Sequence, residues 1–62
     1  MIYRIYVIDD YDESERLGDV PSPWDNASTY SEALRIVSDE MVNRGKKPYD
    51  WVTEFYIRGE GS

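Results

Sequence analysis

Cysteine and histidine are both missing from this 62-residue chain. Their absence excludes disulfide staples, thiolate nucleophiles, zinc sites of the usual kind and the general base that works near neutral pH. Most catalytic constellations go with them, so no enzyme, no cofactor and no metal site is expected. Long hydrophobic runs are absent as well, and no stretch approaches the ~20 apolar residues that span a bilayer. Basic charge is scarce: seven Lys and Arg face 13 Asp and Glu, for a net charge of −6. Phosphate contacts need a basic stripe, so neither nucleic acid nor an anionic membrane is an expected ligand. None of Gly18, Gly45, Gly59 or Gly61 forms the glycine-rich spacing that cradles a phosphate at a helix start. Met1 runs straight into Ile2-Tyr3-Arg4-Ile5 without a basic leader and apolar core, which reads as a cytoplasmic protein.

What the chain has in excess is acid at one place. Five of the seven residues from Asp9 to Glu15 are carboxylates: Asp9, Asp10, Asp12, Glu13 and Glu15. Residues 1–25 hold seven acids and two bases, and residues 26–62 hold six and five, so nearly all of the net charge sits in the first part. A block of like charge repels itself and stays hydrated unless something cationic faces it. It marks either a solvated turn or a surface made to meet basic groups.

The length allows one domain, residues 1–62. A chain this short buries only about 60% of the surface its unfolded form exposes, so the core is small and a partner or a second copy would help complete it.

Residues 2–8 are β-branched and aromatic and too few for a helix, which predicts a strand with Tyr3, Ile5 and Val7 toward the core and Ile2, Arg4, Tyr6 and Ile8 on the other face. Residues 15–20 can pair back as a short second strand, with Gly18 marking a bulge. Pro21 to Asn26 reads as a connecting loop in which Trp24 folds its indole over an edge of the core. Thr29 and Glu32 have capping-box spacing, which predicts a helix over 29–44 with Tyr30, Ala33, Leu34, Val37 and Met41 in its apolar stripe and Ile36 and Val42 on the flanks. Glu40 and Arg44 have the favourable i,i+4 order, and Gly45 supplies the stop. Residues 51–58 return to period two, with Trp51, Phe55 and Ile57 on one face and Val52, Glu54, Tyr56 and Arg58 on the other. The expected fold is α+β: a β-β-α-β unit whose mostly antiparallel three-stranded sheet has a central first strand and one helix on one face.

The acidic block admits three chemical readings. As a calcium loop, Asp10, Asp12 and Ser14 hold positions one, three and five, but Glu15 stands where the turn needs glycine and Pro21 where a bidentate glutamate belongs. As a catalytic pair, exposed neighbouring carboxylates share one environment, which leaves nothing to separate their pKa values. As a nucleic-acid mimic, an extended acidic chain advances ~3.3 Å per residue, close to the ~3.4 Å charge spacing along one DNA strand. The bland alternative is a solvated turn that keeps a sheet edge from aggregating. A second surface is the face opposite the helix, where Arg4, Tyr6, Glu54, Tyr56 and Arg58 are expected to lie uncovered, tyrosine and arginine being frequent binding hot spots. A half-polar face simply shown to water explains those residues equally well.

In size, acidity and lack of catalytic residues the chain resembles the small phage-encoded inhibitors of host defence, such as anti-CRISPR and anti-restriction proteins and uracil-DNA glycosylase inhibitors. The resemblance is one of general character over the whole chain, and no motif carries a site across. It implies an acidic inhibitor in the host cytoplasm whose partner is a nucleic-acid-binding protein with a basic surface. The residues expected at that interface are Asp9, Asp10, Asp12, Glu13 and Glu15, with Tyr6, Tyr11 and Tyr56 as apolar anchors. The other reading is a small intracellular interaction module, antitoxin-like or an assembly component, that forms a homodimer through a strand edge or the tyrosine face.

Overall fold

The computed structural model describes residues 1–61. Strand β1 (Ile2–Val7) runs without a connecting loop into helix α1 (Ile8–Leu17). A short edge strand β2 (Asp25–Ala27), helix α2 (Tyr30–Asn43), a 3₁₀ turn at Pro48–Thr53 and strand β3 (Phe55–Glu60) follow. The sheet order is β2-β1-β3 with both pairings antiparallel, so the fold is α+β around a central first strand, as its sequence pattern predicts.

Alternation along β1 sorts the two faces of the sheet. Ile5 and Phe55 turn toward α2 and are fully buried with Ala27, Ala33, Val37 and Met41, while Tyr3, Val7, Ile36, Trp51 and Ile57 pack around them. Of the expected helical stripe, Ala33, Val37 and Met41 are buried; Leu34 is only half-buried while Ile36 from the flank packs against the core, and Tyr30 stays half exposed and rests edge-on against Tyr3 at 5.8 Å. Thr29 Oγ1 accepts the Glu32 amide at 3.1 Å, and the Glu32 carboxylate reaches back to the Ser28 amide at 3.4 Å. At the other end Gly45 adopts φ 72°, and the amides of Gly45 and Lys46 donate to the carbonyls of Val42 and Met41 at 2.9 and 2.8 Å. This double bond is a Schellman closure, which favours glycine because the left-handed conformation penalises a Cβ. Trp24 does lie over a core edge, its ring 5.2 Å from that of Phe55.

Five expectations are corrected. Residues 15–20 form no strand, since Ile8–Leu17 is helical and the second strand is Asp25–Ala27. Gly18 is therefore no bulge: at φ 76° it closes α1, with Gly18 and Asp19 donating to the carbonyls of Glu15 and Ser14 at 3.1 and 2.8 Å. The loop expected over 21–26 ends two residues earlier, because Asp25 and Asn26 already pair with Ile5 and Arg4, and both prolines stay outside the ladder. The last strand begins at Phe55 and not at residue 51, because Pro48 opens a 3₁₀ turn, which the Thr53 hydroxyl braces by donating to the Asp50 carbonyl at 2.8 Å. A helix also lies on each face of the sheet where only one was expected.

Because Met41 is fully buried and Val42 on the next position is mostly exposed, their truncations should separate sharply. Met41→Ala is expected to cost about 3 kcal/mol and Val42→Ala less than about 0.5 kcal/mol, read as midpoint shifts in urea unfolding.

Candidate functional site: an acidic helix seated on tyrosines

All five carboxylates of the block lie on α1, and all five are exposed. Asp9 and Asp10 occupy the first turn and Arg16 the last, the arrangement that complements the helix dipole. The N-cap, Val7, has no side-chain oxygen to offer; the Ile8 amide donates instead to the Glu54 carbonyl at 3.0 Å. Asp9, Asp12 and Glu13 line one shallow hollow with Arg16, whose guanidinium is 3.8 Å from Glu13. Asp10 and Glu13 line another with Ser14, Leu17 and Ser22. The carboxylates fan around the helix, and among the described residues no three acidic side chains converge on a point where a metal ion would sit. The extended geometry expected of the block is thus replaced by a helical one.

No residue of α1 is fully buried, so the helix is held by a few contacts. Tyr11 is the main one. Its ring meets those of Tyr6 and Tyr56 edge-on, each at 5.1 Å, and its hydroxyl accepts from Arg58 Nη1 at 2.6 Å. The Tyr56 hydroxyl adds a long hydrogen bond, 3.4 Å, to Asp12 Oδ1. Beneath this layer the Tyr6 hydroxyl donates to Glu60 Oε2 at 2.9 Å, and Glu60 Oε1 takes Arg4 Nε at 3.0 Å. Glu60 thereby offsets the placing of Arg4 directly opposite Arg58 in the ladder, a like-charge pairing that on its own is unfavourable.

The face expected to lie uncovered is therefore partly roofed by α1. Tyr6 is only 6% exposed, too little to anchor a partner, and its role is to seat Tyr11. Tyr56, at 38%, keeps an accessible edge beside Asp12. Glu54 departs from that face altogether and joins Lys46 and Arg44 at the end of α2. Arg44 bonds Glu40 at 2.8 Å as its spacing predicts and also lies 5.1 Å over the Phe55 ring. Arg58 lies on the face its parity predicts, and there it is the cation that fixes Tyr11, a role no local pattern announces.

Burial and the hydrogen bond to Glu60 push the Tyr6 hydroxyl above the usual tyrosine range, and the negative charge of Asp12 does the same to Tyr56. The Lys46 hydrogen bond holds the Glu54 carboxyl below the usual glutamate range.

Among the described residues, no helix is long and apolar enough to cross a membrane. Comparisons with protein-family models, with curated proteins and with solved structures gave no significant match to this chain.

Two outcomes test this arrangement. Both tyrosines have raised folded-state values, so the stability they confer is complete below about pH 10 and lost as pH rises through those values. Tyr6→Phe should flatten the alkaline limb of a stability-against-pH curve from chemical denaturation. Tyr11→Ala should destabilise the fold by about 2 kcal/mol and reduce far-ultraviolet helicity, because it removes the wedge between two aromatic partners.

Proposed function

We infer that the chain is a non-enzymatic acidic binding protein, an inhibitor that occupies a basic nucleic-acid-binding surface of another protein through α1. The observation that carries this reading is the density of exposed charge. Asp9 to Glu15 spans roughly 9 Å of helix axis at about 1.5 Å per residue. Five carboxylates over that length give roughly one charge per 2 Å, near the ~1.7 Å per charge of duplex DNA. Counted around the whole helix, this placement supports mimicry of a duplex by charge per unit length, where an extended chain would have supported mimicry of one strand.

Presentation supports the same reading. Tyr11 seats the helix on the sheet, so the charges do not have to be ordered when a partner arrives, which lowers the entropic cost of binding. The accessible edge of Tyr56 beside Asp12 offers an apolar contact at the rim of the charged surface. A cationic groove would attract such a surface from a distance and be occluded by it. Lacking histidine and cysteine, the chain has little with which to turn over a substrate once bound. The setting consistent with its general resemblance to phage-encoded inhibitors is the host cytoplasm.

The test replaces Asp9, Asp10, Asp12 and Glu13 by their amides and follows proteins that the immobilised chain retains from lysate and that duplex DNA displaces. The amide variant should bind at least ~10-fold more weakly at low salt and show a flatter salt dependence. A charge-retaining control, Asp9→Glu with Asp12→Glu, should bind nearly as well as the parent. Unchanged binding by the folded amide variant would overturn the proposal.

A further inference from the structure

The two edges of the sheet are unequally protected. β2 has three residues, follows Pro21 and Pro23 and carries Asp25, all devices that discourage further pairing. β3 has six residues, no proline, no lysine, and an unbroken register with β1 from Ile2 opposite Glu60 to Val7 opposite Phe55. The phase of its hydrogen bonds follows from the Ile8 amide bonding the Glu54 carbonyl at 3.0 Å. Antiparallel pairs alternate between bonded and non-bonded, so Tyr56, Arg58 and Glu60 turn their amides and carbonyls toward β1. Phe55, Ile57 and Gly59 turn theirs outward, to the edge.

We propose that this edge pairs with the same edge of a second copy, forming a continuous six-stranded sheet. Parity allows a two-fold axis at an outward-facing or an inward-facing residue, and two such registers overlap about five residues of the strand. An axis at Arg58 sets that guanidinium against its own copy, which is repulsive. An axis at Ile57 sets Ile57 beside Ile57 of the partner subunit and Phe55 opposite the small Gly59. On the other face it brings Tyr56 beside Arg58 of the partner subunit twice, a cation–π pairing. The strand is thus self-complementary in one register. The size of the chain is compatible with the same outcome, because a domain this short has a small core that association can supplement.

The symmetry has a consequence for charge. An axis normal to the sheet leaves both copies of α1 on one face, with their β1 strands about 14 Å apart, three strand spacings. That exceeds the ~8 Å screening length at physiological ionic strength, so repulsion between the acidic helices is weak there and stronger in dilute buffer. Dimerisation therefore strengthens with salt, whereas attraction of the acidic surface to a basic partner weakens.

Sedimentation equilibrium of the full chain tests the proposal. The mass should rise from 7.3 kDa toward twice that value with protein concentration, and more readily as salt is added. A synthetic chain with N-methyl-Ile57 loses the outward amide while keeping the side chain and the ladder to β1. It should dimerise at least ~10-fold more weakly with an unchanged circular dichroism spectrum. Amide exchange of the unmodified chain gives a reading independent of any variant. Ile57 and Gly59 should become protected as concentration rises, while Asn26 on the opposite edge does not. A mass that stays at 7.3 kDa at millimolar concentration, dimerisation unaffected by the N-methyl group, or exchange at Ile57 and Gly59 indifferent to concentration would each overturn it. The amide variant of α1 leaves the edge intact and should still dimerise, so failure of the inhibitor reading and failure of this one are distinguishable.

Discussion

The seating of Tyr11 between Tyr6 and Tyr56 is the contact on which the acidic surface depends. A ten-residue helix with five like charges and no fully buried residue is marginal on its own, both in length and in self-repulsion. The macrodipole recovers part of this, since Asp9 and Asp10 stand at its positive end and Arg16 at its negative end. The rest comes from one aromatic ring held edge-on by two others and capped by Arg58. The tyrosines that composition marks as binding anchors thus also have a structural role, fixing the helix that carries the charge.

The two faces of the sheet are stabilised by different physics. Toward α2 the contacts are apolar and fully closed, with Ile5, Phe55, Val37 and Met41 at the centre. Toward α1 they are aromatic and charge-assisted, a chain running from Arg4 through Glu60 to Tyr6, and from Arg58 to Tyr11. The first face accounts for most of the hydrophobic driving force. The second is sensitive to the ionisation of tyrosine, which ties the acidic helix to the alkaline stability limit of the molecule.

Legibility in the sequence followed the strength of local signals. Helix α2 was readable nearly to the residue, because a capping threonine, a 3.6-residue stripe and a closing glycine all agree. Strand β1 and the core faces of both long strands were readable from alternation, and Phe55 and Ile57 fall where period two puts them. Helix α1 was not: Val7 supplies no cap, only Ile8 and Tyr11 offer an apolar face, and a carboxylate run looks like a solvated turn. The signals that could have revealed it were acids in a first turn, Arg16 in a last turn and Gly18 in the closing position. β2 has too few residues to carry a pattern, and the 3₁₀ turn was masked because Trp51 shares parity with Phe55 and Ile57. For the candidate site the charges were legible and their geometry was not, since the roofing of Tyr6 depends on a helix that local pattern does not announce.

The direct passage from Val7 into Ile8 leaves no slack between the central strand and the charged helix. A tug on those carboxylates is transmitted to the middle of the sheet, with no hinge to absorb it. Occupancy of the helix by any ligand is thereby linked to melting of the entire molecule, and a bound state would register as a higher thermal midpoint.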